Sequence, residues 1–296
     1  MRFEFIEARR DEFPVWLMCK VPAVSPGGYY ARRNRPVSAQ KMANQTLWQA
    51  IETVYEESKG TYGSPRVYRA VRKTIPCSEN RVARLMKKHG LQARRSRRFK
   101  RTTRVNEAHA KAANVLAQDF SAPAPNQNRT VDITYIATGE GRLYPAVVID
   151  LFSRRIVGWA MAARMTVELA QKAPAMAFRQ RNPPGGLLHH SDRGSQYTAT
   201  GYQQLLKNRQ CQISMSGTGN CYDNAPAESF FGSLKTDRVH HTRYQTRNEA
   251  RTDIFFYIEG WYNTKRLHSS LGYLSPAAFE AAYHARTQSG LTLCPL

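Results

Sequence analysis

The chain has 296 residues, with 44 Lys+Arg against 22 Asp+Glu, a formal net charge of +22 and 42% hydrophobic residues. That length holds one large domain plus a smaller one, each with its own core. The charge calls for a polyanionic partner and puts nucleic acid first, because clustered Lys and Arg gain affinity by releasing counterions from phosphates, although a basic chain that is merely soluble and sticky has the same charge.

Cys19, Cys77, Cys211, Cys221 and Cys294 are scattered without a C-x-x-C pair, which argues for a reducing cytoplasm and against structural zinc. The opening stretch M-R-F-E-F-I-E-A-R-R-D-E carries acids where a secretory signal needs an apolar core. No apolar run approaches the ~20 residues that span a bilayer, so no membrane partner is expected. Charge is uneven: residues 1–120 hold 25 Lys+Arg against 10 Asp+Glu, which makes the front of the chain the stronger electrostatic anchor.

In chain order, residues 1–37 read as a basic N-terminal segment. Residues 38–91 read as a small helix-turn-helix-like DNA-binding domain. Ser38 is a candidate N-cap, Leu47, Ile51, Val54 and Tyr55 recur at helical spacing, and Gly60 ends a helix over 38–59. A second helix opens at Ser64 with Pro65 at its first position, where a missing N–H costs nothing. A third starts after Ser78 and runs to Gly90, with Val82, Leu85 and Met86 on one side and Arg81, Arg84, Lys87 and Lys88 around the rest. Such helices resemble a helix-turn-helix reader, although a bundle whose charges face water has the same pattern.

The next segment favours the reader. Seven of the eleven residues 94–104 are basic, among them Arg94, Arg95, Arg97, Arg98, Lys100 and Arg101. A like-charge run of this kind repels itself and stays extended unless phosphates neutralise it. Residues 92–121 read as a basic linker expected to lie along DNA, with an inert solvated loop as the alternative.

From 122 to 285 the pattern is that of a catalytic domain, followed by a tail at 286–296. Val131–Ile136, Leu143–Phe152 and Arg155–Ala160 are β-rich runs separated by turns. Thr166–Gln180 is helical in composition, Gly186–His190 a buried strand, Thr198–Asn208 a helix, Cys211–Met215 a last strand, and 246–263 a long amphipathic helix. Three strands followed by alternating helix and strand predict an α/β class, a mixed five-stranded sheet with flanking helices.

Three carboxylates stand out in this domain. Asp132 interrupts the apolar strand V-D-I-T-Y-I, where an ionised group is costly to bury unless a cation or donor meets it. Asp192 follows a buried strand, and sites in open α/β sheets form at the carboxyl ends of strands. Glu228 lies near the start of a helix, 35 residues separate it from Asp192, and Lys235 sits seven positions on, on nearly the same face. Carboxylates from two strands and a helix can converge on two divalent cations, which clamp the attacking and leaving oxygens of a phosphoryl displacement; Lys235 would then touch the DNA phosphate, or be an ordinary surface lysine.

Asp150 reads as a turn residue and Asp223 sits where a helix cap is needed; neither of them, nor Asp237, is expected as a primary ligand. His189 and His190, as neighbours in a strand, point to opposite faces and cannot readily share one ion.

The segments D-I-T-Y-I, D-L-F-S-R-R-I-V-G-W, H-H-S-D-R-G-S-Q-Y, S-G-T-G-N-C-Y-D-N-A-P-A-E-S-F-F-G-S-L-K and Y-N-T-K-R-L-H-S-S-L-G-Y-L-S-P resemble the OrfB-type DDE transposases of the IS-three family of bacterial insertion sequences. The likeness runs from the front helices nearly to the C-terminus. It implies an RNase H-like core of the retroviral-integrase type, with Asp132, Asp192 and Glu228 matching catalytic metal ligands for two Mg²⁺ (or Mn²⁺) ions. The implied activity is nicking that leaves a 3′-OH at the element's terminal inverted repeats, then transfer of that end into target DNA. The resemblance also implies an upstream-frame OrfA-type partner or frameshift fusion, a homo-multimer on DNA, and a bacterial, nucleoid-associated location.

The chain departs from the family's pattern at Arg32, Arg129 and Arg142, where relatives usually have Trp, and at Pro22 and Pro145, where they usually have Leu. Loss of a buried aromatic costs roughly 3–5 kcal/mol, a proline in a central strand removes a ladder bond, and Pro174 is expected to kink its helix. These departures support an alternative, a decayed copy that acts only by binding DNA. Arg266 and His268, in Y-N-T-K-R-L-H, either contact DNA or dock the final helix.

Overall fold

The structure, a computed structural model, describes residues 2–94, 112–217 and 221–289. Three short helices come first: α1 (Arg2–Ala8), α2 (Val15–Lys20) and α3 (Pro26–Arg33). They enclose a small core of Ile6, Met18, Cys19 and Tyr29. Elements of six to eight residues carry too few turns for a period to show, so the sequence yields only a basic segment here. Arg32 is exposed, bonds Glu4 at 3.0 Å and lies over the Phe3 ring, so it replaces no buried aromatic.

Next come α4 (Ala39–Glu57), α5 (Ser64–Val71) and α6 (Glu79–Lys88). Ser38 and Ser78 cap α4 and α6 by accepting from the N–H groups of Lys41 and Arg81, each satisfying an otherwise orphaned donor. Gly60, at φ +72°, supplies the left-handed residue that turns the chain out of α4. The apolar faces of the three helices meet in Leu47, Ile51, Val67, Val71, Val82, Leu85 and Met86, and Leu267, from far along the chain, completes this core.

The larger unit contains β1 (Asn128–Ile133), β2 (Ile136–Thr138), β3 (Gly141–Asp150), β4 (Ile156–Ala162), α7 (Val167–Arg181), β5 (Leu188–Ser191), α8 (Ser195–Thr198), α9 (Thr200–Asn208), β6 (Gln212–Met215), α10 (Ala225–Asp237), α11 (Arg247–Phe255) and α12 (Pro276–Gln288). The sheet runs β2-β3-β1-β5-β6, with β4 on the other side of β3. β3 is antiparallel to β1, β2 and β4, whereas β1–β5 and β5–β6 are parallel. Five long-range strands make up the mixed sheet expected from the sequence, and β2 is a three-residue addition that continues beyond β1 and bonds the start of β3.

Alternation along β3 sorts the core into two layers. Val147 and Ile149 face α10 and α11, together with Phe230, Leu234, Ile254 and Ile258. Ala146 and Val148 face α7 and α9, together with Leu169, Ala173, Ala177 and Leu206. The α7 layer closes tightly: a Cβ at Gly158 of β4 would stand 2.3 Å from the Ala173 carbonyl oxygen, so only glycine lets helix and strand approach this far. α11 passes into a π-helical stretch, Phe256–Tyr262, rather than the single regular helix the sequence predicts.

The departures inside this unit are absorbed locally. α7 continues helical through Pro174. Pro145 stays in β3, where its carbonyl accepts from the Thr134 N–H at 3.0 Å. Arg142 is exposed, with its guanidinium 4.6 Å from the Tyr135 ring centroid. Arg129 is fully buried: one nitrogen donates to Asn126 at 2.8 Å and the guanidinium lies 5.9 Å from the Phe178 ring centroid. Burial pulls it down to about 10, which still leaves it cationic at neutral pH.

Candidate active site

Parallel pairing fixes the heart of the site. β1 and β5 pair as Asn128 with Leu188, Arg129 with His189 and Thr130 with His190. Asp132 and Asp192 each follow two residues after the last pair, Thr130 with His190, so they lie side by side just past it, and the charge of Asp192 acts on Asp132. Both lie at the carboxyl ends of strands, the edge at which open α/β sheets place their sites.

Each aspartate is held by backbone. Asp132 accepts from the Ile133 N–H at 2.8 Å, and Asp192 accepts from the Gly194 N–H at 2.8 Å. Burial, then the charge of Asp192, and more weakly that of Glu228, push Asp132 up to about 8 against the pull of the Ile133 N–H and Lys235. Burial likewise raises Asp192, opposed by the Gly194 N–H. No arginine, lysine or histidine forms an ion pair with either aspartate among the described residues.

The helix carrying Glu228 is tied to the same strand. Asn224, immediately before α10, takes the Thr130 hydroxyl on its side-chain oxygen and donates from its amide to the Val131 carbonyl at 3.1 Å. These two hydrogen bonds tie the start of α10, and the turn that carries Glu228, to β1. Glu228 is exposed, and no group of three His, Cys, Asp or Glu side chains closes tightly enough to hold an ion among the described residues. Asp132 and Asp192 thus form the built part of the site, with Glu228 near enough for its charge to act on Asp132.

Lys235, two turns along α10, is half-buried and donates to the Thr134 hydroxyl at 2.7 Å, with its ammonium 5.6 Å from the Tyr135 ring centroid. Burial lowers it while Asp132 raises it, so the lysine stands beside the carboxylates rather than on open surface.

The other acids are occupied elsewhere. Asp150 accepts from the backbone N–H groups of Asn126, Phe152 and Ser153 in the turn after β3. Asp223 accepts from Asn114, Gln118 and the Gly217 N–H, and Asp237 pairs with Arg266 at 3.2 Å. His189 meets Tyr202, whereas His190 meets Ser214 and Ser216; burial lowers them to about 3 and about 4, so both are neutral structural groups.

The candidate DNA-contact residues divide. Arg84, Lys87 and Lys88 are exposed on α6. Arg81 is half-buried and donates to Asn44 at 2.9 Å, which ties α6 to α4 rather than offering a cation to phosphate. Arg94 donates to the Asp237 carbonyl at 3.1 Å and so joins the front helices to the end of α10. Arg95, Arg97, Arg98, Lys100 and Arg101 lie outside the described residues. A cleft of about 610 Å³ lined by Lys59, Arg94, Arg238 and His241 contains none of the three carboxylates.

Y-N-T-K-R-L-H is a dock. Leu267 donates its N–H to the Tyr62 hydroxyl at 2.7 Å and accepts from Arg66 at 3.0 Å, while Arg266 bonds Asp237 and, at 3.0 Å, Ser233 of α10. His268 is buried and lowered to about 3, first by desolvation and then by Arg266. Asn224 and Thr134 were not legible as site residues, since their partners are strand backbone and a lysine distant in sequence.

Models described as integrase core domains match residues 122–221 and 228–282, and one described as an HTH-like domain matches 42–99. The chain is 40% identical over 283 residues to "Transposase InsF for insertion sequence IS3A" of Escherichia coli K12, covering 95% of this chain and 98% of that one. It is 44% identical over 268 residues to "Insertion element IS600 uncharacterized 31 kDa protein" of Shigella sonnei, covering 90% and 98%. Among solved structures, the HTLV-2 integrase catalytic core domain in complex with magnesium aligns with TM-score 0.41 at 14% identity, over 53% of this chain and 98% of that one. None of the described helices is long and apolar enough to cross a membrane.

Proposed function

This chain belongs to the IS3 family of DNA transposases, polynucleotidyl transferases with an integrase core and an HTH-like domain, and from that premise we propose that Asp132, Asp192 and Glu228 are its catalytic cation ligands. The observation that supports the assignment is the parallel pairing of β1 and β5, which runs to Thr130 and His190 and leaves Asp132 and Asp192 each two residues further along adjacent strands, where the charge of Asp192 acts on Asp132. An all-oxygen donor set suits Mg²⁺ or Mn²⁺, and a cation would offset both the burial and the Asp192 charge that raise Asp132. Two such ions supply Lewis acidity at the phosphodiester and a lowered pKa for the attacking water.

In the proposed reaction a water oxygen bonds to phosphorus as the bond to the element's terminal 3′ oxygen breaks, leaving a 3′-OH. That hydroxyl then forms a new bond to phosphorus in target DNA as a target 3′ oxygen leaves. Asp132 and Asp192 hold the reacting phosphate's place from the sheet, Glu228 closes the site from α10, and Lys235 holds a neighbouring phosphate oxygen. Arg84, Lys87 and Lys88 with the basic run after Arg94 grip the flanking duplex at the terminal inverted repeats. An OrfA-type partner from the upstream frame, or fusion to it, reads the end, and joining two ends calls for a multimer on DNA. Such a protein works where the chromosome is, in the cytoplasm at the nucleoid.

The competing reading, a decayed copy that only binds DNA, is not favoured. All three carboxylates are present at strand and helix ends, and Arg129, Pro145 and Pro174 are housed without breaking β1, β3 or α7. The test incubates the purified chain, with and without its upstream-frame partner, with end-containing DNA and Mg²⁺ or Mn²⁺. Wild type should yield strand-transfer products that Asp192→Asn does not; identical products from both would end the assignment.

A further inference from the structure

Tyr197 is 3% exposed, and its hydroxyl has no hydrogen-bond partner among the described residues. A buried, unpaired hydroxyl is costly and calls for an explanation. The contrast with its neighbour is internal. Tyr202 packs edge-on against it, centroids 5.3 Å apart, and is equally buried, yet directs its hydroxyl to His189 at 2.8 Å. Tyr202 therefore does not satisfy Tyr197.

The surroundings of Tyr197 are those of the site. α8 begins three residues after Asp192, the Tyr197 N–H donates to the Gly194 carbonyl at 2.9 Å, and the Gly194 N–H donates to Asp192. A Cβ at Gly194 would stand 3.0 Å from the Asp192 carboxylate oxygen and 3.5 Å from the Tyr197 ring, so carboxylate and ring flank the same glycine. The charges of both Asp132 and Asp192 act on the hydroxyl, which burial and those charges keep protonated and hence a donor.

We propose that Tyr197 is a positioning residue: when the Asp132–Asp192 pair closes on a divalent cation, its hydroxyl donates to the Asp192 carboxylate and holds it in ligating orientation. Carboxylate ligands are commonly oriented by such a second hydrogen bond, and removing one typically lowers metal affinity about 10–100-fold. The inference rests on the cation site proposed above.

The test compares wild type, Tyr197→Phe and Asp192→Asn in the full chain, by thermal unfolding without metal and by calorimetric Mn²⁺ binding. Tyr197→Phe should melt at the same temperature or higher without metal, because it removes an unpaired hydroxyl, and should bind Mn²⁺ about 10–100-fold more weakly. Strand transfer by this variant should recover as Mn²⁺ is raised to saturation. Unchanged Mn²⁺ affinity, or a lowered metal-free melting temperature, would overturn the role of Tyr197. Asp192→Asn separates the two levels: if it too binds Mn²⁺ like wild type, the cation site itself fails, whereas if only Tyr197→Phe does, the failure belongs to Tyr197 alone.

Discussion

Two acids near opposite ends of β1 stand in opposite circumstances. At its start, near Arg129, Glu280 of α12 is buried yet receives Arg155 at 2.8 Å, Arg181 at 2.8 Å and the Ser153 hydroxyl at 2.7 Å. Burial works to raise it, but the bonds and charges of those partners win and hold it below the usual carboxylate range. At its far end, Asp132 is pushed up to about 8, first by burial and then by the charge of Asp192. At Glu280 the fold supplies its own cations, whereas it leaves the strand-end pair to be neutralised from outside, which is how the proposed cation site differs from a salt-bridged core.

Removing the acid at the structural end should do the most damage. Glu280→Ala leaves Arg181 and Arg155 facing a buried gap and should cost about 3–5 kcal/mol, read as a drop in the denaturation midpoint with unchanged slope. A loss near zero would erase the distinction between the two ends.

The site end should respond to pH instead. Asp132 lies above its unfolded value of 3.8, so its contribution to metal-free stability is fully present below about pH 4 and is lost as pH rises toward 8. Asp132→Asn should flatten this part of the pH–stability curve, and a curve of unchanged slope would place the repulsion elsewhere. The smallest effect is expected at Arg129. Arg129→Met removes a buried cation with two unpartnered nitrogens and should leave stability within about 1 kcal/mol, as equilibrium denaturation would show.

Much of this was legible in the residues. Ser38, Ser78 and Gly60 mark helix ends because capping is local chemistry, and the near-continuous apolar run Leu143–Phe152 announces a strand covered on both faces. Asp132, Asp192 and Glu228 could be singled out by their settings. Their arrangement could not, because the nearness of Asp132 to Asp192 depends on a parallel pairing between strands more than fifty residues apart. The same limit hid Asn224, whose partners are Thr130 and the Val131 carbonyl, and the dock of Arg266 on Asp237 and Ser233. Arg81 misled for a related reason: an arginine on a basic helix reads as a phosphate contact until Asn44 is seen beside it. Arg129 misled in the other direction, since a cation over Phe178 fills a place where an aromatic was expected.

The most direct test is the number of protons released when Mn²⁺ binds the metal-free full chain at pH 7, measured by calorimetry in buffers of different ionisation enthalpy. With Asp132 near 8, the cation must displace its proton, so about one proton should be released. That release should fade as the pH is raised above 8 and be absent in Asp132→Asn. Binding without proton release, or the same release from Asp132→Asn, would contradict a cation site built on the Asp132–Asp192 pair.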